Sequence, residues 1–174
     1  FLWTAAGWFD YLNLRINGYQ FHMDLTAGKV SYEDPRLDDV FDKWAELVNG
    51  GCFLEDHASY SWQDAQSTMI NGESAMYLLG NFITGNFKAA EMLDKVDYFQ
   101  FPKIYDGVGM AEDAPTDTIH IASGAKNKKD AKRFLIFITR ADVQEEFNKM
   151  LQQLPVNKKS GVKEGDKFLA AGLD

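Results

Sequence analysis

Residues 72–87, GESAMYLLGNFITGNF, constrain this chain more than any other stretch. After Ser74 no polar residue interrupts the run to Leu79, which predicts a short strand buried on both faces of a sheet. Gly80 and Asn81 then predict a tight strand-to-helix corner, where the first N–H groups of the following helix point away from the strand end. Open α/β sheets collect ligands at such corners. The Asn81 amide offers one hydrogen-bonding group and the Phe82 ring one flat apolar face, a pairing suited to a small molecule of the sugar kind.

The segments around this corner alternate between helical and extended periods. Ala5, Phe9, Leu12 and Ile16 keep a 3.6-residue spacing, predicting a helix over 4–16 that Asn17-Gly18 stops; Trp8 falls near its buried stripe and Trp3 lies ahead of it. From Tyr19 to Leu25 apolar residues alternate with Gln20, His22 and Asp24, which predicts a half-exposed strand, turned by 26–29 into a second strand over 30–32. Asp34-Pro35 predicts a helix start, and Leu37, Val40, Phe41, Trp44, Leu47 and Val48 carry the helix to Asn49-Gly50-Gly51. Ser61 and Asp64 resemble a capping box for a helix ending at Ile70, with Ala65, Met69 and Ile70 inward.

Beyond the corner a helix is expected from Phe82 to about Leu93, weakened by Gly85, then a strand over 96–101 stopped by Pro102. Residues 103–117 form a long connection carrying Glu112, Asp113 and Asp117, and loops of that length are usually functional or disordered. A strand over 118–123 follows. Asn127 and Asp142 are expected to cap two helices, with Ala131, Phe134, Leu135 and Ile138 inward in the first and Val143, Phe147 and Met150 in the second. The expected class is α/β, a mixed sheet flanked by helices.

At 174 residues the chain suits one domain with a single core. It begins at Phe1 without a basic-then-apolar leader, so a targeting segment is expected to have been removed, to lie upstream, or never to have existed. No apolar run approaches the ~20 residues that span a bilayer, and a soluble domain is expected. A net charge of -8 with dispersed basic residues argues against nucleic acid; the one dense basic run, KNKKDAKR at 126–133, reads as the solvated start of a helix. The single cysteine, Cys52, excludes an internal disulfide and a cysteine-based zinc site.

Catalytic and metal chemistry find little support. His22, His57 and His120 pair with no ligand at a metal-binding spacing, so no metal is expected. No serine sits in a G-x-S-x-G setting, and GVGMAE at 107–112 lacks the third glycine of a dinucleotide fingerprint, so no cofactor is expected. Glycoside hydrolysis needs two carboxylates about 5 to 10 Å apart, and Glu112, Asp113 and Asp117 are the only cluster that could supply them. What remains is a set of aromatic and small polar residues at element starts: Trp3, Trp62, Asn81, Phe82, Asp117 and Thr118. Trp62 and Phe82 also suit core rings, and Asp117 also suits a turn.

In order, WFDYLNLRING, DPRLDDVFDKWAELVNGG, SWQDAQSTMINGESAMYLLGNF, DYFQFP and APTDTIHIASGAKNKKDAKRFLIF resemble the extracytoplasmic solute-binding proteins of sugar ABC transporters, the family that includes maltose-binding protein. The resemblance implies one lobe of a periplasmic-binding-protein type II fold, with 1–157 as a C-terminal lobe and 158–174 as a polar tail, weakly ordered or partly helical. It implies a missing N-terminal lobe, a sugar bound without catalysis in the cleft between lobes, a membrane permease as partner, and an extracytoplasmic location. By position it also implies a ligand-facing role for Trp62, a stacking role for Phe82 where relatives usually carry tryptophan, a cleft-border place for Trp3, and a ligand-reaching loop at Asp117 and Thr118. Two other readings stay open: a carbohydrate-active enzyme domain using the 112–117 loop, and a sensor ectodomain of the same fold.

Overall fold

The computed structural model describes residues 2–161 and 167–172. Its described residues form α-helices, two single 3-10 turns and connecting segments, with no strand among them. They divide into two compact units, the first Phe1–Leu79 with Phe99–Ala114, the second Gly80–Tyr98 with Pro115–Asp174.

The first unit is built on α1 (Leu2–Ile16), which packs against both α2 (Gly18–Thr26) and α3 (Arg36–Asn49). Leu12, Ile16, Phe21, Leu25, Leu37 and Val40 make its core, with Phe9, Val30, Trp44, Phe101 and Ile104 packed on the outside. The last turn and more of α1, from Leu12 to Ile16, is buried all round. Gly18, at φ +81, supplies the left-handed residue that lets α2 start almost at once. The α3 entry has the expected carboxylate: Asp34 accepts the Arg36 N–H at 3.0 Å and a bidentate pair from its guanidinium. That partner holds the Asp34 carboxyl at about 2.

The helix α4 (Trp62–Ile70) is capped as its sequence implies. Ser61 Oγ accepts the Asp64 N–H at 3.0 Å, while its hydroxyl donates to the Asp64 carboxylate. The carboxylate thus returns to the hydroxyl of the capping residue. Replacing Ser61 by alanine should lower the unfolding free energy by about 1 kcal/mol in urea titration, and an unchanged midpoint would mean that the cap contributes nothing. The inward face differs from the expected one, since Gln66 and Thr68 are buried and Ala65, Met69 and Ile70 are half-buried.

The expected α/β class and mixed sheet are corrected by this structure. Residues 19–25 are helix α2: alternation would bury Tyr19, Phe21, Met23 and Leu25 alike, but only Phe21 and Leu25, one turn apart, are buried. Residues 30–32 lie in turns rather than a second strand. Residues 74–79, 96–101 and 118–123 are non-helical and pair with no neighbouring chain among the described residues. A strand exists through the N–H and C=O groups of a neighbour, and apolar composition alone cannot supply one. Far from central, 74–79 leaves Met76 70% exposed.

In the second unit the expected 82–93 helix is shorter. A 3-10 turn, Asn81–Ile83, leads into α5 (Thr84–Ala89), which buries Ile83, Thr84 and Phe87. It ends with Glu91 left-handed at φ +55 and the Met92 N–H on the Phe87 carbonyl. Then come α6 (Lys128–Ile138) and α7 (Ala141–Leu151), which contact each other. Neither expected cap holds: Asn127 makes no side-chain capping bond, and Asp142 lies inside the first turn of α7, paired with Arg140. Their periods are helical as expected, but Phe134, Phe147 and Met150 of the expected inward faces are exposed. Of the expected tail, α8 (Lys167–Ala171) is helical and buries Leu169, while 162–166 and 173–174 lie outside the described residues.

Candidate functional site

The six residues singled out by sequence fall into three local groups. Trp3, in the first turn of α1, and Trp62, the first residue of α4, meet edge to face with ring centroids 6.1 Å apart and planes at 68°. Two helix starts are brought together to make this pair, and Trp3 remains 47% exposed. Edge-to-face contact of this kind is a preferred arrangement of two aromatic rings.

Asn81 and Phe82 share the 3-10 turn at the start of the second unit, both half-buried. The Phe82 ring folds back over Gly80, where an added Cβ would come within 2.6 Å of the ring. Glycine is needed at this corner for close approach, since its φ of -70° is ordinary. The Asn81 carbonyl accepts from the Thr84 hydroxyl at 2.9 Å, which steadies the turn. Asp117 and Thr118 are exposed neighbours on a non-helical segment, with the Thr118 hydroxyl 2.8 Å from His120 Nε2. Trp3 and Trp62 thus belong to the first unit, and Asn81, Phe82, Asp117 and Thr118 to the second.

The acidic loop is engaged in a different way from the one its composition suggests. Glu112 is the counter-ion of Arg15, at 2.7 Å from Nη2, and also accepts from the Tyr11 hydroxyl at 2.9 Å. The Arg15 side chain is 1% exposed. Its Nε donates to the Phe101 carbonyl at 2.9 Å and its Nη1 to the Ala111 carbonyl. Tyr11 and Phe101 stack at 5.1 Å, and the guanidinium lies over both rings. Tyr11 and Arg15, four residues apart on one helix face, are a structural pair that sequence reasoning missed; an aromatic residue and an arginine at i and i+4 were the available signal.

Burial, and then donation to Glu112, push the Tyr11 phenol well above its ordinary value of 10.0. The folded state therefore holds this proton more tightly than the unfolded one, so its contribution is complete below pH 10 and is lost as pH rises beyond it. Unfolding measured from pH 8 upward should show the parent losing stability above about pH 10, with a flatter curve for Tyr11→Phe; parallel curves would sink this assignment. Burial also raises the nearby Asp10 carboxyl, Asp113 adds to that, and His22 opposes it.

Among the described residues no group of three or more His, Cys, Asp or Glu side chains could hold a metal, and no helix is long and apolar enough to cross a membrane.

The helical frame brings two aromatic rings together at helix starts and commits the Glu112 carboxylate to Arg15 and Tyr11. Comparison with known proteins places it: the profile of the bacterial extracellular solute-binding proteins matches residues 1–168, and the chain belongs to that family. It is 31% identical over 159 residues to an uncharacterised ABC transporter extracellular-binding protein of Pyrococcus horikoshii, PH1214, covering 90% of this chain and 34% of that protein. A second such protein from the same organism, PH1039, is 29% identical over 84 residues, 48% of this chain and 19% of the relative. Among solved structures, the bacterial solute receptor AcbH, reported to have an exclusive substrate preference for β-D-galactopyranose, superposes with a TM-score of 0.79 at 30% identity, over 97% of this chain and 44% of that one. The chain thus spans about a third of the curated relative PH1214 and less than half of the solved receptor.

Proposed function

We propose that this chain is part of a non-catalytic sugar receptor that delivers its ligand to the permease of an ABC transporter outside the cytoplasm. The observation that carries the reading is the likeness to a galactopyranose receptor across 97% of the chain. The Trp3–Trp62 pair supports it, since a pyranose presents an apolar C–H face for stacking and hydroxyls for amide and carboxylate acceptors. On this reading Trp3 and Trp62 of the first unit border and stack on a sugar, while the second unit offers by itself the Phe82 ring and the polar groups of Asn81, Asp117 and Thr118. An enzyme using the acidic loop is disfavoured because Glu112 is committed to Arg15 and Tyr11.

The test is calorimetry on the full-length receptor against D-galactose, D-glucose and maltose. Binding of a neutral sugar is expected, with Trp62→Ala weakening it by about 2 kcal/mol, roughly thirtyfold in Kd. Phe82→Ala should weaken it too. Binding of a peptide or polyamine with none of the sugars would overturn the reading.

A further inference from the structure

We propose that Tyr77 is a positioning residue for Trp62, fixing the direction in which that ring meets a stacked ligand; the proposal rests on the sugar-binding reading above. Residues 74–77 return along α4 and are tied to it at two points. At the first, Thr68 is gripped near the end of the helix: its carbonyl accepts the Glu73 N–H at 2.7 Å and the Ser74 N–H at 3.1 Å, and its hydroxyl meets that of Ser74 at 2.9 Å. At the second, the Tyr77 hydroxyl donates to the Trp62 carbonyl at 2.9 Å.

Trp62 opens α4, where helical dihedrals are least constrained. The contacts that locate it include the Ser61 cap, the Trp3 edge, and the Tyr77 hydroxyl on the Trp62 peptide carbonyl. The last acts on the Trp62 backbone, so it helps to fix the Cα–Cβ direction from which the indole projects. A half-buried phenol also gains from a partner for its O–H, which makes the tie reciprocal. Burial raises the Tyr77 phenol, in keeping with a hydroxyl that stays protonated as a donor.

The experiment is a double-mutant cycle on the full-length receptor, with Tyr77→Phe and Trp62→Ala alone and together, titrated calorimetrically with D-galactose, D-glucose and maltose. Tyr77→Phe should weaken binding about fivefold, the size of one neutral hydrogen bond, and should have no further effect in the Trp62→Ala background. A second arm needs no ligand: the Trp3–Trp62 exciton couplet in circular dichroism, identified by its loss in Trp3→Phe, should change in Tyr77→Phe. Unaltered affinity in Tyr77→Phe, or the same fivefold loss without the Trp62 ring, would overturn the proposal while leaving sugar binding intact. If none of the sugars binds the parent, the sugar reading falls, and an unchanged couplet would then overturn the positioning role as well.

Discussion

Replacing Arg15 by methionine should lower the unfolding free energy by about 3–5 kcal/mol, the range for breaking a buried ion pair from one side. Three groups lose a bond from Arg15 at once, the Phe101 carbonyl, the Ala111 carbonyl and the Glu112 carboxylate, of which Glu112 keeps the Tyr11 hydroxyl. Each polar group left buried without a partner costs about 1–3 kcal/mol, and the thioether replaces none of the three bonds. Glu112 is partly exposed and can recover some hydration, which keeps the total below a simple sum. Glu112→Gln keeps an amide oxygen that accepts from Arg15 and Tyr11 but leaves the buried guanidinium without its counter-ion, so it should destabilise as well. Urea titrations of the three proteins decide it: a loss under about 1 kcal/mol in Arg15→Met would mean that water replaces the guanidinium at little cost.

The second large effect separates helix from strand at residues 19–25. Leu25 is 1% exposed and Met23 is 41% exposed. Leu25→Ala should destabilise by about 2–5 kcal/mol through lost transfer and a residual cavity, whereas Met23→Ala should stay within about 0.5 kcal/mol. A strand with one buried face would treat the two positions alike, so equal losses would restore the strand. Thermal or urea unfolding of both variants is sufficient.

The same residues explain how much was legible in advance. Helix starts and stops with their own chemistry could be read directly: Asp34 before α3, Ser61 before α4, Gly50-Gly51 after α3. Extended segments could not, because Tyr19, Phe21, Met23 and Leu25 satisfy a period of two while Phe21 and Leu25 also satisfy a helical turn. The choice is made by what α1 and α3 offer to pack against, a tertiary fact. The apolar run at 74–79 failed for the converse reason: composition reveals a wish for burial and not the neighbour that would grant it. On α6 and α7 the period correctly marked an apolar side, yet Phe134 and Met150 have no cover among the described residues, since periodicity names a face and not its partner.

Of the candidate site, the aromatic nomination of Trp3 and Trp62 could be made from their places at element starts, and the two rings do meet. The tie from Tyr77 could not, because it joins a residue read as buried strand to a helix end. Arg15 and Glu112 were each visible as charges, but a pairing across 97 positions leaves no local trace.

That separation bears on the order in which the protein can be made. On a ribosome, Arg15 emerges long before Phe101 and Glu112, the partners that lie 86 and 97 residues downstream. Until they arrive, the guanidinium has only water, so the end of α1 must stay hydrated while the helix itself can already form. Final desolvation of the first unit therefore waits for the 99–114 segment, and closing so long a loop belongs to the slow, non-local part of folding. Nascent chains cut before residue 101 should accordingly keep this arginine open to solvent and offer a chaperone the unsealed face of α1.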